Sequence, residues 1–223
     1  MKYRHEAKVV IGYSDLLMLR QRLTAVMQRD CHAVNGKYEI RSLYFDNAND
    51  KALREKIDGV NIREKFRIRF YDYDVSYIKL EKKSKINGLC QKVSVPITKE
   101  QAESIIKGEC EWMPASEYAL IREFYVKMKT QELRPKAVVD YTREPFVYAP
   151  GNVRVTLDYN IRTAMNPDDF LENSCVTVPV DEGVVILEVK WDEFLPDIIR
   201  DSVHVKNRYV AAYSKYVAGR IYG

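Results

Sequence analysis

The chain has 223 residues, 46% hydrophobic and 30% charged, which fits one generous domain with a substantial apolar interior. Its 36 Lys and Arg against 32 Asp and Glu leave a net charge of only +4. Charge is therefore organised locally, which argues against a diffuse polycationic field for long nucleic acid. Cys31, Cys90, Cys110 and Cys175 stand far apart, and His5, His32 and His204 have no HxxxH spacing, so neither a zinc site nor a disulfide framework is suggested. No secretory signal or bilayer-spanning apolar run is visible, and the chain reads as cytoplasmic.

In chain order, the pattern predicts a first strand from Tyr3 to Ile11. An amphipathic helix follows, capped near Ser14 and Asp15, with Leu16, Leu17, Leu19, Leu23 and Val26 as its apolar stripe to about Met27. A strand from Tyr38 to Phe45 and a short helix near Asn49 to Lys56 precede two long strands, Ile62 to Asp72 and Val75 to Lys83. Asn87-Gly88 is a two-residue hairpin signal leading into Leu89 to Ile97. Thr98 and Gln101 form a capping box for a helix through Lys107, and another helix follows Ser116 to about Lys129. Strands return at Lys136 to Val147, Val153 to Ile161, Cys175 to Val180 and Val184 to Trp191, and Val210 to Tyr222 is helical in pattern. Sequential antiparallel strands with inserted helices give an α+β class, and the absence of a linker or repeat gives one domain over 1–223.

The chemistry lies in the parity of the charges. Arg63, Lys65, Arg67 and Arg69 alternate with Glu64, Phe66, Ile68 and Phe70, so a strand projects all four cations from one face. Lys79, Glu81 and Lys83 repeat the pattern, as do Arg4, Glu6 and Lys8; Arg154, Thr156 and Asp158; and Glu188 and Lys190. A solvated sheet face explains any one such strand. Several together, rich in arginines whose planar fork matches phosphate oxygens, point to a phosphate-rich ligand. A like-charged row also implies that Arg67→Ala or Arg69→Ala should leave the fold intact. The carboxylates Glu6, Glu81, Asp158 and Glu188 are either counter-ions or oxygen ligands for Mg²⁺ or Mn²⁺, with Glu188 the preferred metal ligand.

Read together, Glu6 with Lys8, Leu43-Tyr44-Phe45-Asp46-Asn47, Arg67-Ile68-Arg69-Phe70-Tyr71, Leu80-Glu81-Lys82-Lys83, Tyr141-Thr142-Arg143, Arg154-Val155-Thr156-Leu157-Asp158, Leu187-Glu188-Val189-Lys190 and Tyr213-Ser214-Lys215-Tyr216 form an ordered series. From Tyr3 to Gly219 the chain resembles the catalytic domain of the vacuolar transporter chaperone (VTC) complex and its stand-alone bacterial relatives. These are polyphosphate polymerases of the triphosphate tunnel metalloenzyme superfamily. The resemblance implies an antiparallel β tunnel of about eight strands with helices packed around it. It implies ATP and polyphosphate as partners, Mn²⁺ or Mg²⁺ as cofactor, no nucleic acid, and room for a membrane protein encoded separately, to which the chain would be peripheral.

Carried over by residue, the resemblance makes Arg67, Arg69, Lys83, Arg143 and Lys215 catalytic phosphate ligands. Lys8, Lys65, Lys92, Arg154 and Lys190 become further phosphate-binding wall residues, and Glu188 the metal ligand. One departure stands out. Hydrolytic relatives open with a Glu-x-Glu-x-Lys signature, and here Arg4 replaces the first Glu, which removes a carboxylate and adds an expected phosphate-binding cation. The competing functions are an inorganic or nucleoside triphosphatase of the same fold and a noncatalytic polyphosphate or RNA binder. Stacking of bases on Phe66 and Phe70 is disfavoured, because those rings lie on the face opposite the arginines.

Overall fold

A computed structural model describes residues 4–222. The strand start expected at Tyr3 and the outermost ends of a 1–223 domain lie outside the described residues. The period-two segments form ten strands of one antiparallel sheet: β1 (His5–Ile11), β2 (Gln28–Arg29), β3 (Tyr38–Asp46), β4 (Ile62–Tyr71), β5 (Asp74–Ile86), β6 (Leu89–Ile97), β7 (Arg134–Tyr148), β8 (Val153–Ala164), β9 (Thr177–Pro179) and β10 (Val185–Trp191). Their spatial order is β1-β10-β8-β7-β3-β4-β5-β6, with β2 added to β7 and β9 to β8. The expected eight-stranded wall is thus the main path of the sheet.

The wall curves until its two edges meet. Arg4, just before β1, and Cys90 in β6 exchange two backbone hydrogen bonds of 3.3 Å. Farther along β1, Val9 bridges Val210, and the Ala211 N–H donates to the Lys8 carbonyl at 2.7 Å. The β5–β6 turn uses Asn87 at φ 48° and Gly88 at φ 86°, the left-handed pair that a two-residue hairpin requires.

Six helices are described: α1 (Tyr13–Val26), α2 (Lys51–Ile57), α3 (Lys99–Lys107), α4 (Ala119–Gln131), α5 (Asp197–Ser202) and α6 (Lys215–Tyr222). Thr98 and Gln101 make the expected reciprocal cap of α3, at 3.2 and 3.0 Å. The cap of α1 lies earlier than expected: Gly12 is the N-cap, and its N–H donates to Asp15. Leu17, assigned to the α1 stripe, faces solvent. The helix expected from Val210 begins only at Lys215, because backbone groups of Val210 and Ala211 bond to β1 instead. The strand expected over Cys175 to Val180 shortens to Thr177–Pro179. Neither the two-residue β2 nor the six-residue α5 is long enough to leave a readable period.

Two of the three apolar clusters lie outside the tunnel wall; the third, with Ile40, Val139, Tyr141 and Ile186, lies on the inner face with Tyr216 and Ala218. Phe66, Ile68, Phe70, Ile78 and Leu80 pack against Ile105 of α3 and Ile121 and Phe124 of α4. On the other side, Phe146, Val155, Leu157, Leu187 and Val189 pack against Leu16, Leu19 and Leu23 of α1 and Ile199 of α5. Each such burial stabilises the fold by about 1.5–3 kcal/mol, so the wall is held from without and its inner face is released for polar side chains.

Helix α6 is the exception and rests on the inner face. A Cβ on Gly219 would stand 2.8 Å from Val139 Cγ2 of β7. The Tyr216 hydroxyl donates to Asp46 at 2.6 Å. Asp46 is fully buried and also accepts the backbone N–H groups of Asn47, Ala52 and Leu53, so one carboxylate caps α2 and holds α6. Among the described residues no helix is long and apolar enough to cross a membrane.

Candidate functional site

Inward-facing residues enclose a cavity of about 550 Å³. Strand β4 supplies Arg63, Lys65, Arg67 and Arg69; β5 supplies Lys83 and Lys85; β1 supplies Glu6 and Lys8. Tyr44, Tyr141, Arg143, Glu188 and Lys190 line the cavity from β3, β7 and β10, Lys56 from α2, and Ser214 and Lys215 from the last segment. The register explains the convergence: Lys8 is paired with Glu188, Arg143 with Asp158, and Lys65 with Lys83, so side chains of one parity meet inside.

Much of this charge is interleaved. Lys8 Nζ lies 3.1 Å from Glu6 and 3.2 Å from Glu188, Lys83 lies 2.9 Å from Glu6, and Lys190 pairs with both carboxylates. Arg67 binds Glu81 through Nε at 2.7 Å and Nη2 at 2.6 Å, with Lys92 on the other Glu81 oxygen at 3.0 Å. Arg143 and Lys215 share the fully buried Asp158, at 2.6 and 2.5 Å. Arg69 gives its hydrogen bonds to neutral groups, Ser42 Oγ at 2.8 Å and the Tyr141 hydroxyl at 2.9 Å.

These pairings shift the titrating groups. Burial and Glu188 would raise the Glu6 carboxyl, but Lys83, Lys8 and Lys190 hold it well below the usual carboxylate range. Burial likewise opposes ionisation of Glu188, and Lys190, Lys8, Lys83 and Arg143 outweigh it. Lys65 has no carboxylate at ion-pair distance among the described residues; burial, with Lys83, Lys8 and Arg67 beside it, pushes its ammonium down to about 7. Burial alone would raise the Tyr44 phenol, yet Arg67, Lys65 and Arg69 bring it down to about 7. Arg67 donates to the Tyr44 hydroxyl at 3.1 Å, and Lys65 Nζ lies 5.5 Å above its ring.

A divalent cation fits one part of this cavity. Glu6 and Glu188 already converge on a single ammonium, that of Lys8, as a shared hard cation requires of its oxygen ligands. Thr156, in register with Glu188, has a buried hydroxyl without a hydrogen-bond partner among the described residues, a further oxygen on the neighbouring strand. The Asp30–Cys31–His32 group is half-buried to exposed, and its Asp30 pairs with Arg154, which sets it apart from this chemistry.

The model of the VTC domain matches residues 3–222, almost the whole chain. The chain belongs to the VTC domain family. A search of curated proteins finds no match. Among solved structures the chain is similar to a Bacillus halodurans protein named a "putative adenylate cyclase", at 13% identity and TM-score 0.53, covering 90% of this chain and 86% of that one. It is also similar to a protein of Pyrococcus horikoshii, at 11% identity and TM-score 0.51, covering 96% and 98%. A third is a Hippeastrum "putative adenylyl cyclase" described as having a dominant triphosphatase activity, at 13% identity and TM-score 0.50, covering 90% and 83%. The shared architecture is the triphosphate tunnel fold.

Within the VTC domain, the cavity wall includes Lys8, Lys65, Arg67, Arg69, Lys83, Arg143, Glu188, Lys190 and Lys215 of the residues singled out from the sequence. It does not include Lys92, which is half-exposed and pairs with Glu81, or Arg154, which bonds to Asp30 and to the Tyr38 hydroxyl. Arg4 also falls outside the wall: it pairs with Asp192 at 2.9 Å and donates to the Asn152 carbonyl, so the departure from Glu-x-Glu-x-Lys adds no cation to the cavity. The expectation that Arg67→Ala spares the fold also needs correction. The β4 row is not purely repulsive, since Arg67 neutralises a Glu81 that is 1% exposed. Tyr44, Lys85 and Ser214, whose buried hydroxyl has no hydrogen-bond partner among the described residues, join the wall beyond the expected set, although the two-residue period already places Lys85 in line with Lys83.

Proposed function

We propose that this VTC domain is a single-domain, metal-dependent polyphosphate polymerase that transfers the terminal phosphoryl group of ATP to a growing polyphosphate chain. The carrying observation is the length of the cationic row. Arg63 to Arg69 extends about 20 Å along β4, longer than three linked phosphates, and Lys8, Lys83, Lys190, Arg143 and Lys215 face it. A triphosphate alone leaves part of that row unused, and a longer phosphate chain fills it.

Phosphoryl transfer needs charge neutralisation and in-line placement more than a protein nucleophile. The acceptor is an anionic oxygen at the end of the chain; it forms the new bond to the γ-phosphorus as the bond to the β–γ bridging oxygen breaks, releasing ADP. No base is needed, because that oxygen carries no proton to remove. Glu188 and Glu6 would hold Mn²⁺ or Mg²⁺, which supplies neutralising charge to the triphosphate. The lysines those carboxylates now occupy, Lys8, Lys83 and Lys190, then turn to phosphate oxygens, while Arg67, Arg69, Arg143 and Lys215 orient the transferred group.

The second reading is hydrolysis, with water as acceptor; it is favoured by the activity described for the Hippeastrum protein of this fold. A cytoplasmic setting, with a membrane protein encoded separately as product partner, completes the proposal. Purified protein is incubated with ATP and Mn²⁺, and products are separated by chain length. A ladder that disappears in Lys215→Ala supports the polymerase; orthophosphate alone assigns hydrolysis. Arg143 remains on Asp158 when Lys215 is removed, so that variant should keep its fold.

A further inference from the structure

All four carboxylate oxygens of Glu6 and Glu188 already carry an ammonium group. Glu6 Oε1 is shared by Lys8 at 3.1 Å and Lys83 at 3.2 Å, and Glu6 Oε2 by Lys83 at 2.9 Å and Lys190 at 3.6 Å. Glu188 Oε2 lies 3.2 Å from Lys8, and Glu188 Oε1 is held by Lys190. Lys8 thus stands almost evenly between the two carboxylates, whereas Lys190 leans to Glu188. Two negative groups face three positive ones, which leaves the cluster net positive. The nearby carboxylates do not redress the balance: Glu64 is held by Lys82 and Lys127, Glu81 by Arg67 and Lys92, and Asp158 by Arg143 and Lys215. Arg4, two residues before Glu6, adds no carboxylate and turns to Asp192.

A bare divalent cation arriving here meets net positive charge, and it reaches a carboxylate oxygen only by expelling an ammonium group. A phosphate group reverses both conditions. Its oxygens bring negative charge, and they accept the N–H donors that the carboxylates give up. We infer that Lys8, backed by Lys190, is a built-in substitute for the metal: it fills the position between Glu6 and Glu188 in the free protein and yields it only to a cation that comes with phosphate. The free protein then binds phosphate without metal, but not metal without phosphate. This deepens the proposed function and rests on the cavity taking a phosphate and a divalent cation together, though not on which acceptor the reaction uses. Its consequence is an order of assembly, in which phosphate admits the metal and stray divalent cations stay out of the cavity between turnovers. Linkage makes the effect reciprocal, since a ligand that strengthens metal binding is itself strengthened by the metal to the same degree.

The test is binding of Mn²⁺ alone, with no phosphate or nucleotide present, followed by the electron paramagnetic resonance signal that the hydrated ion loses on binding. Lys8→Met keeps the length of the side chain and removes its charge. It should bind Mn²⁺ about tenfold or more tighter than wild type, the scale of one charge-assisted contact. Adding Glu188→Gln to Lys8→Met should cancel that gain. Lys190→Met should show a smaller gain in the same direction; a thermal melt checks each fold, and this variant carries the test if Lys8→Met does not fold. In EDTA, tripolyphosphate should still bind wild type. Wild type that binds Mn²⁺ as tightly as the lysine variants overturns the inference, as does a gain that survives Glu188→Gln, or tripolyphosphate that binds only with metal. The product gel reports separately on the reaction. Orthophosphate alone, with Mn²⁺ still excluded from the free protein, would sink the polymerase and leave Lys8 in its role. A normal ladder from a protein that binds Mn²⁺ tightly without phosphate would do the reverse.

Discussion

At the scale of single residues, the neighbours of each cation decide what its removal does. Arg67→Ala strands a buried Glu81, so it should lower stability on the order of 3 kcal/mol as well as activity, softened by the remaining Lys92 contact. Arg67→Lys keeps the charge and should separate the two effects, a melting temperature near wild type with turnover still reduced. Arg69 hydrogen-bonds Ser42 and Tyr141 and acts on the buried Glu81 only through space, while Arg67 and Lys92 hold that carboxylate directly, so its loss should act more on activity than on the melt. Lys65 and Tyr44 make a second case. Both titrate near 7 in the folded protein, below their unfolded values near 10, so between about pH 7 and 10 the unfolded chain holds the extra protons and stability rises with pH. The melting temperature of the free protein should climb from pH 7 to 9, and Lys65→Met should flatten that slope; an unchanged slope would show that Lys65 is not the group titrating.

At the scale of elements, Asp46 links β3, α2 and α6 through four accepted hydrogen bonds. Asp46→Ala removes a helix cap and leaves the Tyr216 hydroxyl unpaired in the interior, an expected loss of about 2–4 kcal/mol by denaturant titration. Tyr216→Phe keeps the cap and releases only α6, with an expected cost of about 1 kcal/mol. Both helices that bring cations to the cavity, α2 with Lys56 and α6 with Lys215, depend on that carboxylate although it lies outside the cavity wall. Such linkage was not legible in the chain. Asp46 and Tyr216 are 170 residues apart, and nothing periodic joins them. The strands were legible, because a period of two is written in four or five neighbouring residues. So was the α3 cap, whose donors and acceptors are three residues apart. Arg154 and Lys92 show the limit of that signal: parity gives the direction in which a side chain leaves the strand, and Asp30, Tyr38 and Glu81, contributed by other strands and a loop, decide where it ends.

At the scale of the whole molecule, the fold is turned inside out relative to a solid barrel, with two of its three apolar clusters between wall and helices and its charges within. The net charge of +4 conceals this, since the excess of cations is concentrated in one cavity. Binding of a phosphate chain should then weaken about tenfold or more between roughly 50 and 200 mM salt, because several cations are neutralised at once. A flat salt response would mean that few of them touch the ligand. The wall around those charges is unevenly sewn. Seven neighbouring strand pairs along the main path are joined by extended ladders, three of them with a register shift, whereas β1 and β6 meet through the two hydrogen bonds of Arg4 and Cys90. This stitch is the thinnest point of the wall. To open the tube along its length, those two hydrogen bonds, the Ala211 bond to Lys8 and the Lys83–Glu6 ion pair must all release together, so a polymer confined within it is threaded from an end.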